Sequence, residues 1–380
     1  MNSKYFNNAG AGIMSDATLN CIVNHMKLEM KVGAYKAAIT QSKDVAEFYS
    51  LSSKLFNAKS EQEIAFIDSA SRGWNLIMYG LNITKDDVIV TLDSEYGTNL
   101  LTIYDIVKRT GCSVRVVKCG PDGSVNINDI ENELLKGGTV LAVSHVTAQG
   151  SIVNPVVALG KIANKYGAIY IVDGCQAAGQ LKIDVQEINC HAYITAGRKW
   201  LRGPRGTGIL YVRSDSPIRT PQIDLASADL VFDENEQVVD IKIRKDAKQF
   251  ELWEKNTASL LGLTNAIKEC LDYGIDNINS AIVNKANKIR NSIINNPNLV
   301  LVGKSNECIG NASFYLRNCD SENSVKNIFD KSEYIISYVC DWDCPIFFPK
   351  NGVKYIFRLT PHYYTDNEDV ALLCKLIESL

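Results

Sequence analysis

Residues 169–212 read IYIVDGCQAAGQLKIDVQEINCHAYITAGRKWLRGPRGTGILYV, and this stretch decides the fold. One apolar run ends at Asp173, and a second ends shortly before Lys199. Short runs that are apolar almost throughout are typical of strands buried on both faces of a parallel sheet. The sequence GPRGTG after the lysine predicts a tight turn. The stretch therefore predicts two buried strands whose carboxyl ends carry an acid and a lysine.

Asp173 and Lys199 together meet the needs of one cofactor, pyridoxal 5′-phosphate (PLP). A lysine amine must form an imine with its aldehyde, and a carboxylate must keep its pyridine nitrogen protonated. Ligands of open α/β sheets bind at the carboxyl ends of the strands, where both residues are predicted. GPRGTG matches neither the P-loop pattern nor the G-x-G-x-x-G dinucleotide pattern. The sequence therefore predicts a PLP site and no metal site.

The bulk composition excludes several classes of protein. The 380-residue chain is long enough for two domains. Its net charge is -3, and the sequence contains no long block of like charge. Because of this charge pattern we expect no nucleic-acid partner. We also expect no membrane partner, because the apolar runs are far shorter than the roughly 20 residues that span a bilayer. Eleven dispersed cysteines and an N-terminus without a signal-peptide pattern favour a cytoplasmic location.

Short apolar runs alternate with helical segments between residues 60 and 215, which predicts an α/β fold with a mostly parallel central sheet. Helical spacing predicts helix over residues 15–50, capped by Ser15, and another long helix from about Thr257. The polar segment 213–250 is predicted to be a mobile surface excursion. The predicted strands are 64–67, 88–92, 113–117, 140–143, 169–172, 192–195 and 208–212.

The C-terminal part mixes helices with strand-like runs and predicts a smaller α+β domain, with which the N-terminal residues pack. We predict a large PLP-binding domain over residues 15–255. Residues 1–14 and 256–380 are predicted to form the small domain together with the connecting helix. The strand-like runs lie at 298–302, 312–316 and 353–359.

The chain resembles the class V aminotransferase group of fold-type I PLP-dependent enzymes, which includes cysteine desulfurases, C–S lyases and isopenicillin N epimerase-like proteins. The resemblance implies an aspartate aminotransferase-like fold, PLP as cofactor, a small amino acid as substrate and a homodimer. It spans nearly the whole chain. Besides the opening stretch, it rests on YFNNAGAG (5–12), GAYKAA (33–38), SASRGWN (69–75), DSEYGTN (93–99), SHVTAQGSIVNP (144–155), FELWEKN (250–256) and RLTPHYYT (358–365).

The resemblance implies the catalytic and substrate-binding residues. Lys199 is implied to carry the cofactor and then to remove the substrate α-proton, and Asp173 to pair with the pyridine nitrogen. Arg358 is implied to hold the substrate α-carboxylate, which its guanidinium fork can bind through two hydrogen bonds. We predict that Asn8 and His362 also contact the substrate.

Further residues are implied to hold the cofactor. Gln176 would contact the phenolate oxygen, and Tyr96 would stack on the ring where related desulfurases place a histidine. Ser71 and Arg72 would open a helix whose free N–H groups, with the Ser71 hydroxyl, cradle the phosphate. Asn256 is implied to reach the phosphate of a partner subunit.

Three positions depart from the family pattern. Relatives carry Ser or Thr three residues before the lysine, whereas this chain has Ala196 next to Thr195; either Thr195 serves through a shifted register or the contact is lost. Arg198 stands where desulfurases have histidine. Gln149 is predicted to replace an asparagine that relatives offer to the cofactor.

Cys344 precedes Arg358 at nearly the distance of the desulfurase nucleophile. Asp341 and Asp343 flank it, and they would raise rather than lower a thiol pKa. We therefore favour cleavage of a C–S bond in cysteine, cystine or a cysteine conjugate by β-elimination. The alternatives are a cysteine desulfurase using Cys344, an aminotransferase or epimerase of a specialised amino-acid pathway, and a non-catalytic protein of the PLP fold.

Overall fold

A computed structural model describes residues 4–120, 123–150, 152–304, 308–318 and 321–380. The seven predicted strands are confirmed, and they form one sheet in the order β2-β8-β7-β6-β5-β3-β4. All neighbours from β7 to β4 pair in parallel, whereas β8 runs antiparallel to both β7 and β2. The strands are β2 Ile64–Ile67, β3 Val88–Leu92, β4 Ser113–Val117, β5 Val140–Ser144, β6 Ile169–Asp173, β7 Ala192–Ala196 and β8 Gly208–Val212.

Helices cover both faces of this sheet. Successive residues of a strand point to opposite faces, so both faces of these apolar strands need a cover. On β6, Tyr170 and Val172 enter one apolar core, and Ile171 enters the other. This explains why the strands are apolar throughout instead of alternating. The covering helices are α4 Ala70–Tyr79, α5 Gly97–Thr110, α6 Ile127–Leu135, α7 Val156–Lys165 and α8 Val185–Ile188.

The segment predicted as one helix over residues 15–50 forms three, so that prediction was wrong in detail. Ser15 caps the first helix by accepting a hydrogen bond from Thr18 N, as predicted. The helix ends at Val32, and the C-cap residue Gly33 has a φ of 83°, a backbone conformation that favours glycine. The three helices are α1 Asp16–Val32, α2 Ala34–Thr40 and α3 Ser42–Phe56.

The polar segment 213–250 lies at the surface and contains a hairpin, formed by β9 (Ala228–Phe232) and β10 (Val238–Ile243). Both strands are largely exposed. The predicted long helix after it is confirmed as α9 (Thr257–Tyr273), and α10 (Ile275–Asn295) follows directly.

A second, antiparallel sheet lies in the C-terminal part, in the order β11-β12-β15-β14. On one face, Phe314 and Phe357 stack with their ring centroids 5.0 Å apart. The N-terminal Phe6 joins the same core, and β1 pairs with β13. The elements are β1 Lys4–Tyr5, β11 Leu299–Leu301, β12 Ala312–Leu316, α11 Glu322–Lys331, β13 Tyr334–Ile335, β14 Ser337–Val339, α12 Phe347–Asn351, β15 Ile356–Leu359 and α13 Asn367–Glu378.

Contact between the chain ends agrees with a small unit built from both of them. The exact division into residues 15–255 on one side and 1–14 with 256–380 on the other stays a prediction. Within the described ranges, no helix has the length and apolar character needed to cross a membrane.

Candidate active site

A cavity of about 700 Å³, including its open mouth, lies at the carboxyl ends of β5, β6 and β7. This is where an open α/β sheet binds its ligands. Five of the predicted residues line it together: Lys199, Asp173, Tyr96, Gln176 and Ser71. These residues are far apart in sequence. They lie close together because β5, β6 and β7 are neighbours in the sheet and end at the same edge.

Lys199 presents a buried amine whose pKa is lowered. Burial is the main cause that lowers its pKa from the ordinary value of 10.5, and the Arg198 cation acts in the same direction. Asp173 and Cys175 oppose this shift without reversing it. Among the described residues, no acceptor or carboxylate engages the Lys199 amine. A neutral, unengaged amine can attack an aldehyde or accept a proton.

Asp173 is the last residue of β6, and its carboxylate is held at both oxygens. Oδ1 accepts a hydrogen bond of 2.9 Å from Cys175 N, and Oδ2 accepts one of 2.9 Å from Asn99 Nδ2. Two fixed donors leave the carboxylate little freedom to rotate. The group is therefore oriented before any ligand arrives.

The N-terminus of α4 forms another wall of the cavity, but its cap differs from the prediction. Ser69, not Ser71, is the N-cap, and its hydroxyl accepts a hydrogen bond of 3.2 Å from Arg72 N. Ser71 lines the cavity in the first turn, where backbone N–H groups have no partner within the helix. The Arg72 guanidinium points elsewhere and donates to Gln222 Oε1 at 2.5 Å. A phosphate would thus meet the helix N-terminus and Ser71, without the Arg72 side chain.

Tyr96 and Gln176 both face the cavity. The Tyr96 ring is available to a ligand, whereas the Gln176 amide is held by hydrogen bonds. Tyr96 precedes α5 and is partly exposed, so its ring is available to stack on a ligand. Gln176 donates from Nε2 to Ala9 O at 3.0 Å and accepts from Trp200 Nε1 at 2.9 Å. One N–H of its amide is left for a ligand, because an NH₂ group has two donors.

The prediction for Thr195 was wrong for a simple geometric reason. Ala196 faces the cavity, and neighbouring strand residues point to opposite faces. Thr195 is therefore turned away, fully buried, with its hydroxyl 3.4 Å from Gly174 O. The hydroxyl that relatives offer to phosphate is lost in this chain.

The loop after β5 places neighbouring side chains in different surroundings. Ala148 lines the cavity, whereas Gln149 is fully buried and accepts a hydrogen bond of 3.2 Å from Cys344 Sγ. Gln149 Nε2 has no hydrogen-bond partner among the described residues. Gln149 thus does not line the cavity as the replacement for an asparagine.

Asn256 lies outside the cavity of its own chain. Its side chain caps α9 by accepting a hydrogen bond of 2.8 Å from Ser259 N, and the residue is exposed. Its predicted reach to the cofactor of a partner subunit stays a prediction.

Arg358 is buried on β15 beside the cavity wall. Its Nε donates to Ser337 Oγ at 3.0 Å, and its Nη1 donates to Ala148 O at 2.7 Å. Burial lowers its pKa to about 10. No carboxylate of the described residues forms an ion pair with it. A buried guanidinium without an acidic partner is suited to an anionic substrate group.

Asn8 and His362 do not line the cavity, which argues against direct substrate contact. Asn8 donates to Thr360 O at 2.6 Å and accepts a hydrogen bond from the Tyr364 hydroxyl. His362 is fully buried, lies 3.1 Å from Trp200 O through Nε2, and its pKa is lowered to about 3 by burial. Asn8 instead joins the N-terminal segment to the C-terminal segment, and His362 joins the C-terminal segment to Trp200, the neighbour of Lys199.

Cys344 is poorly suited to act as a nucleophile. Its side chain is fully buried in an apolar cluster with Val339 and Phe348. Burial raises its pKa well above the ordinary value of 9.0, and Asp343 and Glu95 add to the increase. The effect expected from Asp343 is confirmed. Because the thiolate is the reactive form, this environment disfavours sulfur transfer.

Among the polar residues at the site without a predicted role are Asn99, which lines the cavity, and Glu95, which lies next to it. Both belong to the DSEYGTN motif, from which only Tyr96 was assigned a role. Glu95 lies in the turn between β3 and α5, and Asn99 lies in the first turn of α5. Polar residues that directly follow a buried strand were a usable signal.

The donor set fits PLP. The cavity offers an unengaged amine at Lys199, an oriented carboxylate at Asp173, an exposed aromatic face at Tyr96 and a helix N-terminus beside Ser71. These groups match the aldehyde, pyridine nitrogen, ring face and phosphate of the cofactor. The fold and the site thus define a PLP-dependent enzyme of the aspartate aminotransferase-like class.

Comparison with known families gives the same result. The model described as Aminotransferase class-V matches residues 5–373, and the chain belongs to this family of PLP-dependent enzymes. A probable cysteine desulfurase of Halalkalibacterium halodurans is 29% identical over 228 residues, which are 59% of this chain and 55% of that protein. A probable cysteine desulfurase of Methanothermobacter thermautotrophicus is 26% identical over 352 residues, which are 92% and 86% of the two chains.

Solved structures share the fold over nearly the whole chain. The apo structure of cysteine desulfurase from Thermococcus onnurineus NA1 has a TM-score of 0.88 at 22% identity, covering 99% of this chain and 94% of that one. The cystine C–S lyase C-DES, in complex with its reaction product cysteine persulfide, has a TM-score of 0.87 at 19% identity, covering 100% and 98%. At these identities the likeness establishes the fold.

Proposed function

We propose that the protein cleaves the C–S bond of cysteine, cystine or a cysteine conjugate by β-elimination. The single observation that carries this choice is the pair of Lys199 and Cys344. The lysine amine is unengaged with a lowered pKa, whereas the thiol is buried with a raised pKa. β-Elimination needs a base and a leaving group at Cβ, but no protein thiolate. The names of the relatives and the structural neighbours support chemistry at the sulfur of cysteine.

Three residues in or beside the cavity, Arg358, Asp173 and Lys199, have distinct tasks in this proposal. Arg358 binds the substrate carboxylate, and Asp173 keeps the pyridine nitrogen protonated. PLP supplies the electron-accepting ring that makes the α-proton acidic. Lys199 accepts that proton as general base, while the Cβ–S bond breaks and sulfur leaves with its electron pair. The resulting unsaturated amino acid is hydrolysed to pyruvate and ammonia.

The first experiment is product analysis after incubating the PLP-loaded protein with L-cysteine, L-cystine and a cysteine S-conjugate. Pyruvate together with ammonia supports β-elimination. Alanine together with transferable sulfur supports the desulfurase, which the names of the relatives favour. If neither pair of products forms, C–S cleavage is wrong, and an aminotransferase or epimerase becomes the hypothesis to test.

The variant Lys199→Ala separates all of these enzymes from a non-catalytic protein. We expect it to lose turnover entirely, because every route begins at this amine. If cells that carry the variant instead behave like wild-type cells, this would support a role of the protein without catalytic turnover.

We also propose that the enzyme is a cytoplasmic homodimer. The exposed position of Asn256 at the start of α9 is consistent with its reaching a partner subunit. Light scattering during size-exclusion chromatography tests the assembly, and a mass of one chain of 42.0 kDa would contradict it.

A further inference from the structure

Glu95 is a second buried carboxylate next to the site, and the proposed mechanism does not use it. It is 1% exposed and lies between β3 and α5. Oε2 accepts a hydrogen bond of 2.8 Å from Ser144 N, and Oε1 accepts bonds from Tyr96 N at 3.0 Å, from Asn99 Nδ2 at 2.8 Å and from the Ser144 hydroxyl. Four donors on one carboxylate fix its position.

Asn99 connects this carboxylate to the proposed cofactor partner. Its single Nδ2 atom donates both to Glu95 Oε1 at 2.8 Å and to Asp173 Oδ2 at 2.9 Å. An NH₂ group carries two hydrogens, so one amide satisfies both acids. Burial, and after it the nearby Asp173 carboxylate, raise the Glu95 pKa.

Glu95 also acts on the other face of the cavity. Its bond from Tyr96 N fixes the backbone of the residue whose ring faces the ligand. Its bonds from Ser144 hold the end of β5, which lies between β3 and β6 in the sheet. One side chain thus links the acid at the pyridine nitrogen with the aromatic residue at the ring face.

We propose that Glu95 and Asn99 are positioning residues for the cofactor, which align Asp173 with the pyridine nitrogen and Tyr96 with the ring. The inference rests on the proposed function, because it assumes PLP in this cavity. Glu95→Gln replaces one carboxylate oxygen, a hydrogen-bond acceptor, by an NH₂ group, which is a donor. In either orientation of the amide, this NH₂ group faces another donor, and at least one hydrogen bond is lost. Asn99→Leu keeps a similar volume and removes the bridge to Asp173.

The test measures PLP bound to the apoprotein, without substrate. Two quantities are recorded for wild type, Glu95→Gln and Asn99→Leu: the Kd for PLP and the ¹⁵N chemical shift of ring-labelled PLP, which reports protonation of the pyridine nitrogen. The matched control is Glu251→Gln, because Glu251 is also buried and accepts hydrogen bonds from the Tyr49 hydroxyl and Phe66 N, but does not line the cavity.

We expect both site variants to weaken PLP binding by about 10-fold or more, the effect of losing a hydrogen bond to a charged group. We also expect their ¹⁵N signal to move towards the unprotonated ring, which general destabilisation does not cause. Glu251→Gln should lower the melting temperature without changing either quantity.

Folded site variants with the wild-type Kd and ¹⁵N shift would overturn the inference. If Glu95→Gln does not fold, Asn99→Leu decides alone, because it leaves the carboxylate in place. Failure of the wild type to bind PLP would overturn the proposed function itself, and is thereby distinguished from failure of this inference.

Discussion

Lys350 Nζ lies 2.7 Å from Asp93 Oδ2 and thereby joins α12 to the carboxyl end of β3. A backbone bond of 2.7 Å from Gly97 N to Asp343 O lies close by. The segment that carries Cys344 is thus attached at two points, once to the residue after β3 and once to the first residue of α5. A desulfurase thiol must travel to the substrate sulfur, whereas this attachment holds the segment in place.

Lys350→Met should lower the free energy of unfolding by about 1–2 kcal/mol, because Asp93 is buried and keeps, within the described part of the chain, only the Cys119 N–H as a hydrogen-bond donor. Urea denaturation measures the change. Lys136→Met is the matched control, since its ion pair with Glu133 leaves the lysine largely exposed and should contribute less than about 0.5 kcal/mol. Equal losses in the two variants would contradict a structural role for the Lys350 pair.

Lys199→Ala should abolish the visible absorption band of lysine-bound PLP and reduce turnover by at least about 10²-fold, the usual contribution of a general base. Absorbance after addition of PLP checks the first point. Lys182→Ala, at an exposed lysine, should behave as wild type. A band that persists in the Lys199 variant would show that another amine carries the cofactor.

The rate of PLP uptake by the apoprotein should rise with pH through a midpoint below 10.5, because only the neutral Lys199 amine attacks the aldehyde and its pKa is lowered. Arg198 contributes to this shift, so Arg198→Met should move the midpoint to higher pH. Stopped-flow absorbance across a pH series measures both midpoints. A midpoint in Arg198→Met at or below the wild-type value would mean that the arginine does not act on the amine.

Arg358→Lys should raise the KM for the amino-acid substrate by about 10-fold or more, since lysine cannot form the two parallel bonds of a guanidinium with a carboxylate. Steady-state kinetics check the prediction. Arg317→Lys is the control, because that arginine is exposed and contacts Pro297 O. An unchanged KM in Arg358→Lys would place the carboxylate site elsewhere.

Cys344→Ala should retain pyruvate formation, because the elimination proposed here does not involve the thiol. A stability loss of about 1 kcal/mol is expected from removing one buried, methylene-sized atom. A coupled assay for pyruvate and a urea titration give the two values. Loss of sulfur release, with the fold intact, would instead favour the desulfurase mechanism.

The sheet and its two key residues were predictable because their signals are local. Each strand is a short apolar run, and Asp173 and Lys199 follow such runs directly. Thr195 was mispredicted because neighbouring residues of a strand point to opposite faces. Gln149 was mispredicted because it lies in a loop, where no strand pattern indicates that its side chain is buried. The packing of Asn8 and His362 depends on segments more than 150 residues away, which no local pattern reveals.

The bond from Asn8 to Thr360 O joins residues 352 positions apart, and Ala9 O accepts from Gln176 in the cavity wall. During synthesis, residue 8 is made long before residue 360, so the hydrogen bond between them cannot form until residue 360 has been added. At translation speeds of 5–20 residues per second, this delay is roughly 20–70 s. The hydrogen bond that joins the N-terminal and C-terminal segments is therefore completed late, after the residues that line the cavity, which lie between positions 68 and 207, have all been synthesised.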